Sequence, residues 1–137
     1  MQCSPELELT FTASGAVGSY RCVGFAGAQA TAQGQKVAGV ARYGVAAGEP
    51  FPVIASGTAI IEAGGNVSVG DSLISDSQGR AIKSTGEIAI KAGVTAVTSA
   101  AAHGNILIGG DMPEFVFGDA LMGASAAGNK IEVLLRR

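Results

Sequence analysis

Few side chains in this sequence could carry out catalysis or hold a metal ion. Asp71 follows a glycine and Asp76 closely precedes Gln78-Gly79, and at such turn positions an aspartate accepts hydrogen bonds from nearby backbone amides. His103 stands alone in Ala-Ala-His-Gly, and a histidine without a second nitrogen ligand makes a poor zinc site. We expect no metal site among the candidate residues, which are His103, Asp71, Asp76, Asp111 and Asp119.

Nucleophilic catalysis lacks its usual partners as well. No serine stands in a G-x-S-x-G turn, and no second histidine is available as a general base, so the sequence predicts no enzyme and no cofactor. One alternative stays open at Lys91. Its setting is similar to that of the modified lysine in small β-sandwich domains that carry lipoyl or biotinyl groups. In those domains, however, the lysine lies at a hairpin tip beside acidic or methionine residues, whereas Ile90 precedes it here and the alternation places Lys91 on the solvent face of a strand.

The composition limits the classes of protein to which the sequence can belong. Hydrophobic residues make up 47% of the 137 residues and charged residues 15%, which predicts a folded chain forming one domain over residues 1–137. Aromatic residues are only 5%, tryptophan is absent, and the net charge is −2 with no basic cluster apart from Arg136-Arg137. Because nucleic-acid binding relies on basic surfaces and stacking aromatics, we expect no nucleic-acid partner.

Membrane insertion and export are not expected either. No apolar segment approaches the roughly 20 residues that a membrane helix needs. The first residues, Met-Gln-Cys-Ser-Pro-Glu, do not form a basic and then apolar leader, so we expect a soluble product that is not exported. Cys3 and Cys22 have neither a C-x-x-C spacing nor a histidine partner, and we interpret them as ordinary thiols of a reducing compartment.

The elements are predicted from the 21 glycines, which separate short alternating apolar runs. Leu7, Leu9 and Phe11 alternate with polar residues over residues 6–13, which predicts a strand with one face on a core. A second apolar run over residues 20–25 suggests a hairpin with this strand. Between residues 34 and 93, apolar runs end at regularly spaced glycines, including Gly57. This spacing predicts an all-β fold, a small barrel or sandwich of many short strands.

Helical periodicity is weak throughout, and we expect at most one short helix. The best candidates are residues 98–103 and residues 119–127, where Asp119 could serve as the N-cap. The chain closes with Ile131, Val133 and Leu135 in alternation, which predicts a last strand. We expect that strand to pair near the beginning of the chain.

Several short segments of the sequence follow one another in a characteristic order. It comprises residues 40–49 (VARYGVAAGE), 57–59 (GTA), 62–65 (EAGG), 69–73 (VGDSL) and 76–81 (DSQGRA), with Leu9-Thr10 and Thr12-Ala13 before them and residues 118–121 (GDAL) and 126–128 (AAG) after them. In this order the segments resemble the small decoration, or head-cement, proteins of tailed bacteriophages. Residues 88–117 carry no signature of that family.

The resemblance implies a β-rich structural protein of the virion. It would bind the outer surface of a phage head, contact the major capsid protein and stabilise the capsid lattice, after synthesis in the host cytoplasm. It would act as a homo-oligomer, with a trimer favoured and a dimer possible. A β-domain of a phage tail or baseplate is a further alternative that composition leaves open.

Contacts with a capsid need apolar surface patches, for which Phe51, Met112, Pro113, Phe115 and Phe117 are candidates. Phe51 alternates with Val53, a pattern that also fits the core. Because Pro5 lacks an amide hydrogen, we expect residues 1–5 to form a short arm outside the sheet. Our hypothesis is that this arm, or the edge of the strand after it, pairs with a strand of the capsid.

Overall fold

The computed structural model describes residues 3–84 and 114–136, and these form an all-β fold. The described ranges contain no helix, and thus none that could span a membrane. The predicted fold class is confirmed. The eight strands are β1 (Pro5–Thr12), β2 (Cys22–Val23), β3 (Gly39–Ala41), β4 (Pro50–Glu62), β5 (Ser72–Ser75), β6 (Ala81–Lys83), β7 (Gly118–Ala120) and β8 (Lys130–Leu135).

The strands form one antiparallel sheet that curls into a nearly closed barrel. Their order is β2-β3-β4-β8-β7-β5-β6, and β1 pairs with β4 outside this path. The two ends of the path meet, because the amide of Cys22 in β2 donates to the carbonyl of Gly79 in the β5–β6 turn at 2.7 Å. Ala63, just after β4, also forms a parallel bridge with Ala81 of β6.

Strand β4 is the longest element and organises the sheet. Its first half pairs with β3 on one side and with β1 on the other, and its second half pairs with β8. The predicted break at Gly57 is wrong, since β4 continues through this residue with a φ of 93°. A bulge in the β1–β4 pairing lies here, and a side chain at Gly57 would collide with the backbone of Ser4. Glycine therefore allows the strand to bend without ending.

Two apolar clusters lie on opposite faces of the first half of β4. Ile54 points into the larger cluster, which fills the barrel together with β5, β7 and β8. Phe51 and Val53 point to the other face and form a smaller cluster with Ala13, Val17 and neighbours under the loops before β2 and β4. The alternation of side chains along a strand explains how neighbouring residues serve different cores.

The candidate short helix over residues 119–127 does not form. Asp119 lies in β7, where it pairs with Leu134 of β8 and Ser72 of β5. The residues after β7 form turns, with Gly128 at a φ of 95°. Because sheet partners on both sides satisfy the backbone of β7, pairing prevails over a weak local preference for helix. The other candidate, residues 98–103, lies outside the described residues.

Two predicted pairings also differ from the structure. The first apolar runs do not form a hairpin, because β1 pairs with β4 while β2 pairs with β3. The last strand is present as β8, yet it pairs with β4 and β7 and not with the beginning of the chain. The shared partner explains both results, since β1 pairs with the first half of β4 and β8 pairs with its second half.

A small ionic network fastens the end of β4. The Glu62 carboxylate accepts hydrogen bonds from Arg21 Nη2 at 2.7 Å and from Lys130 Nζ at 2.8 Å. Arg21 also donates from Nη1 to the carbonyl of Gln78 at 2.7 Å, which ties the β5–β6 turn into the same network. The hydrogen bond from Lys130 lowers the pKa of Glu62, with Arg21 adding to the effect and partial burial opposing it.

Replacing Gly39 tests the close approach of β3 to β4. A Cβ atom at Gly39 would collide with the carbonyl group of Ile54 and with the side chain of Val53. We expect Gly39→Ala to lower the free energy of unfolding by about 2 kcal/mol or more in urea titrations. Gly65→Ala is the control, because nothing lies within 4 Å of its added Cβ. Equal stabilities for the two variants would contradict this account of the sheet.

Replacing Glu62 by glutamine tests the ionic network. We expect Glu62→Gln to lower the free energy of unfolding by about 1 kcal/mol at neutral pH, since the site is partly exposed to solvent. Because folding lowers the pKa of Glu62, its contribution is complete above its unfolded pKa of about 4.3 and is lost as the pH falls through the folded value.

Urea titrations at a series of pH values should therefore show the wild type and Glu62→Gln converging below about pH 4. A stability difference that is independent of pH would show that packing, and not charge, is responsible.

Candidate interaction surfaces

Two of the aspartates that we considered as candidate catalytic or metal-binding residues form structural hydrogen bonds. Asp71 accepts a hydrogen bond from the amide of Ser68 at 2.9 Å. Asp76 accepts from the amides of Gln78 and Arg80 at 2.8 Å each and from the Arg80 side chain. Both aspartates thus hold turns, as their sequence positions indicated. His103, Asp111 and the alternative carrier lysine, Lys91, lie outside the described residues.

Other carboxylates are engaged in ion pairs. Asp119 receives two hydrogen bonds from Arg136, at 2.7 and 2.9 Å, and these lower the pKa of Asp119. Glu8 on β1 faces Arg42 at 3.3 Å. Within residues 3–84 and 114–136, no group of three histidine, cysteine or acidic side chains is arranged to hold a metal ion. In the same ranges every buried polar side-chain atom has a hydrogen-bond partner, so none points to a missing ligand.

The two cysteines are free thiols. Cys22 is fully buried in the barrel, where burial, together with the negative charge of Asp76, raises the pKa of its thiol. A thiol held in its neutral form is a poor nucleophile. Cys3 is half-buried and its Sγ lies 3.8 Å from the carbonyl oxygen of Thr58. The described geometry assigns neither cysteine a chemical role.

The residues that we expected to form an interface differ in how deeply they are buried. Phe51 is 1% exposed and Phe117 is 4% exposed, and both pack in the apolar clusters. Burial removes these two rings from the surface, so the expectation is corrected for them. Phe115 is half-buried and packs against the larger cluster. Met112 and Pro113 lie outside the described residues.

Phe115 belongs to a surface group that includes one residue the sequence analysis missed. Lys36 Nζ lies 5.5 Å from the centre of the Phe25 ring and 5.8 Å from that of Phe115, distances typical of cation–π contacts. We call Phe25, Lys36 and Phe115 the aromatic cluster. Phe25 is 57% exposed because it lies in the tight turn between Gly24 and Ala28. A phenylalanine inside a glycine turn is the sequence signal that could have revealed it.

A second surface lies along β1. Its residues are mostly exposed, including Leu7 at 48% and Leu9 at 38%, so the prediction that this apolar face covers a core is wrong for these leucines. From that face, Phe11 packs against the smaller cluster and Ala13, just after β1, is buried in it. The expected arm is also different, because Pro5 begins β1 and Ser4 exchanges hydrogen bonds with Thr58 of β4.

The register shows which backbone groups of β1 remain open. Thr10 is opposite Pro52, whose carbonyl accepts from the amide of Arg42 on the β3 side of β4. Pro52 therefore directs no backbone group to β1, and the amide and carbonyl of Thr10 point away from β4. By alternation, those of Glu8 do the same, whereas the carbonyl of Thr12 lies against Gly27 and the amide of Ser14 donates to the carbonyl of Gly27. We call this row of outward backbone groups the β1 edge.

An open depression of about 620 Å³ lies beside the β1 edge. Its lining combines the Glu8–Arg42 ion pair with Tyr43 and the prolines Pro50 and Pro52. The arrangement offers a wide, shallow surface with its charges already paired. Such a shape suits contact with another macromolecule better than enclosure of a small molecule, since small-molecule sites bury most of their ligand.

Comparisons with known proteins identify a family and a similar fold. The chain matches the phage cement protein family over residues 1–110. Its fold is similar to the crystal structure of the N base of head fiber gp8.5 from bacteriophage phi29, with a TM-score of 0.62 and 19% sequence identity over 95% of this chain and 93% of that chain. A comparison with curated proteins found no match. The family match spans most of the sequence, and the chain therefore belongs to the phage cement proteins, structural components of phage virions.

Proposed function

We propose that this protein binds the outer surface of a phage head and stabilises the lattice of the major capsid protein, without catalysis or a cofactor. The observation that carries the proposal is the match to the phage cement family over residues 1–110. The described surface supports it, because the carboxylates of the turns and ion pairs hold the fold and apolar side chains remain exposed.

Cementing follows from the thermodynamics of binding. A protein that binds the assembled lattice but not free capsid subunits stabilises the lattice at every occupied site. A modest affinity is sufficient when each bound oligomer contacts several capsid subunits, because the contacts of one oligomer act together. The homo-oligomer that the family resemblance implies, trimer or dimer, would supply this effect.

The aromatic cluster is our candidate for the capsid contact. Large aromatic rings provide most of the binding energy in many interfaces, and the alkyl chain of a lysine between two rings adds apolar contact. Phe25 is exposed and Lys36 reaches both rings, so the cluster offers apolar area and one positive charge together. A capsid surface with an acidic side chain beside an apolar depression would complement it.

Particle analysis tests the proposed function directly. We expect the purified protein to co-sediment with expanded heads that lack it, and electron microscopy to show added density on their outer surface. Such heads should withstand heat or low salt better after binding. Association with tails or baseplates but not with heads would contradict the proposal, and an intact mass that includes a lipoyl or biotinyl group would favour the carrier alternative.

Substitutions in the aromatic cluster test the contact. We expect Phe25→Ala to weaken binding to heads by about tenfold, since truncating a central aromatic residue costs more than about 1.4 kcal/mol. Lys36→Glu should weaken binding further by reversing the charge. Binding isotherms on heads that lack the protein provide the measurement.

Val69→Ala is the matched control, because Val69 is 70% exposed and belongs to a different turn. All three variants should keep the melting temperature of the wild type. If the Phe25 and Lys36 variants bind heads as well as Val69→Ala does, the capsid contact lies elsewhere.

A further inference from the structure

We propose that the surface around Arg42 binds an extended peptide segment of another protein, in which an acidic residue is flanked by an apolar residue two positions away on each side. This inference is independent of the proposed contact at the aromatic cluster, which lines neither of the depressions described below. It rests on the adjoining depressions, on the charge and free donors of Arg42, and on the placement of the tyrosines.

Two depressions adjoin at Arg42 and Tyr43. One is the open depression of about 620 Å³ beside the β1 edge. The other has a volume of about 400 Å³, and its lining consists of Arg42 and Tyr43 together with Cys3, Tyr20, Ile54 and Ile60. We call the two depressions together the Arg42 groove. Adjoining depressions suit an extended chain, because such a chain can place one side chain in each of them.

Arg42 determines the charge of the groove. Among the described residues that line the smaller depression, Arg42 alone is charged. Its Nη1 donates to both carboxylate oxygens of Glu8 at 3.3 Å, and the two side chains are 48% and 31% exposed. Within residues 3–84 and 114–136, the other guanidinium nitrogens of Arg42, Nε and Nη2, donate to no partner. A guanidinium offers five N–H donors, so a second carboxylate can bind without breaking the pair with Glu8.

Both tyrosines of the chain line this groove. Tyr20 and Tyr43 are the two tyrosines among 137 residues, and tryptophan is absent. Tyr43 is 53% exposed. Tyr20 has a φ of 59°, which hydrogen bonds from its amide to Ala41 and from the amide of Glu62 to its carbonyl hold in place. Such a conformation is uncommon for a bulky residue and occurs preferentially at binding sites. Tyrosines combine an apolar ring with a hydroxyl donor, which suits them to contact with a peptide.

The groove selects the order of side chains in its partner. In an extended segment, residues two positions apart lie on the same face. An acidic residue opposite Arg42 therefore directs its apolar neighbours at these positions toward the two depressions, where Ile60 and Pro52 are among the lining residues. Charge complementarity favours the acidic residue at the centre, because a basic residue there would be repelled by Arg42.

Two matched peptides test this order in the full chain. We expect acetyl-Leu-Ser-Glu-Ser-Leu-amide to bind about fivefold more tightly than the same peptide with glutamine at its centre, since only the glutamate forms a charged hydrogen bond with Arg42. The difference should decrease as salt is added. Tyrosine fluorescence gives both dissociation constants, because the peptides contain no tyrosine and both tyrosines of the chain lie at the groove.

The two partners of the ion pair should act in opposite directions. Arg42→Gln should remove the preference for the acidic peptide. Glu8→Gln should tighten binding of the acidic peptide about threefold, because the Glu8 carboxylate competes for Arg42 and repels the incoming carboxylate. A pair that only holds the fold together would instead give two variants with the same direction of change. Tyr43→Ala should weaken both peptides equally, by about threefold, through loss of apolar contact.

Arg136→Gln and Asp119→Asn are the matched controls. They alter an ion pair with side chains that are 53% and 31% exposed, and neither residue lines the groove. Both control variants should bind the peptides as the wild type does, and circular dichroism should show that every variant is folded. Equal affinity of the wild type for the two peptides, no saturable binding of either, or weaker binding in both Arg42→Gln and Glu8→Gln would overturn the inference. None of these results bears on whether the protein binds phage heads.

Discussion

The backbone pairing of β4 is the constraint on which the other elements depend. Its 13 residues serve β1, β3 and β8 in turn, and the bulge at Gly57 lets the strand pass from one partner to the next. The bulge shifts the alternation of side chains, so Ile54 before it and Ala59 and Ile61 after it all lie in the larger cluster. Gly57 thus shapes the sheet through its backbone conformation and through the absence of a Cβ atom.

The described ion pairs also hold elements of the fold together. Glu62 contacts Arg21 and Lys130, and Asp119 contacts Arg136. The pKa values of Glu62 and Asp119 are lowered mainly by these hydrogen bonds, so both carboxylates remain ionised where they join neighbouring strands. Exposed apolar side chains of the described surface include Phe25 of the aromatic cluster and Leu7 and Leu9 of β1.

Local patterns in the sequence were sufficient for the fold class and for several elements. The alternation of Ile131, Val133 and Leu135 predicted β8, and the positions of Asp71 and Asp76 predicted their turns. Pairing partners could not be predicted in this way, because β1 and β8 both pair with β4, a strand distant from each of them in sequence. The exposure of Leu7 and Leu9 was missed for a related reason: alternation shows that a strand has an apolar face, but not what covers it.

The arrangement of two cores has a consequence for how the molecule opens. The barrel is closed by contacts among β2 through β8, whereas β1 is held along one side only and its apolar face covers little beyond the small cluster. Local opening of a protein begins where few buried contacts are lost. We therefore expect local opening to begin at β1, whose amides should exchange faster than those of the central strands β4 and β8.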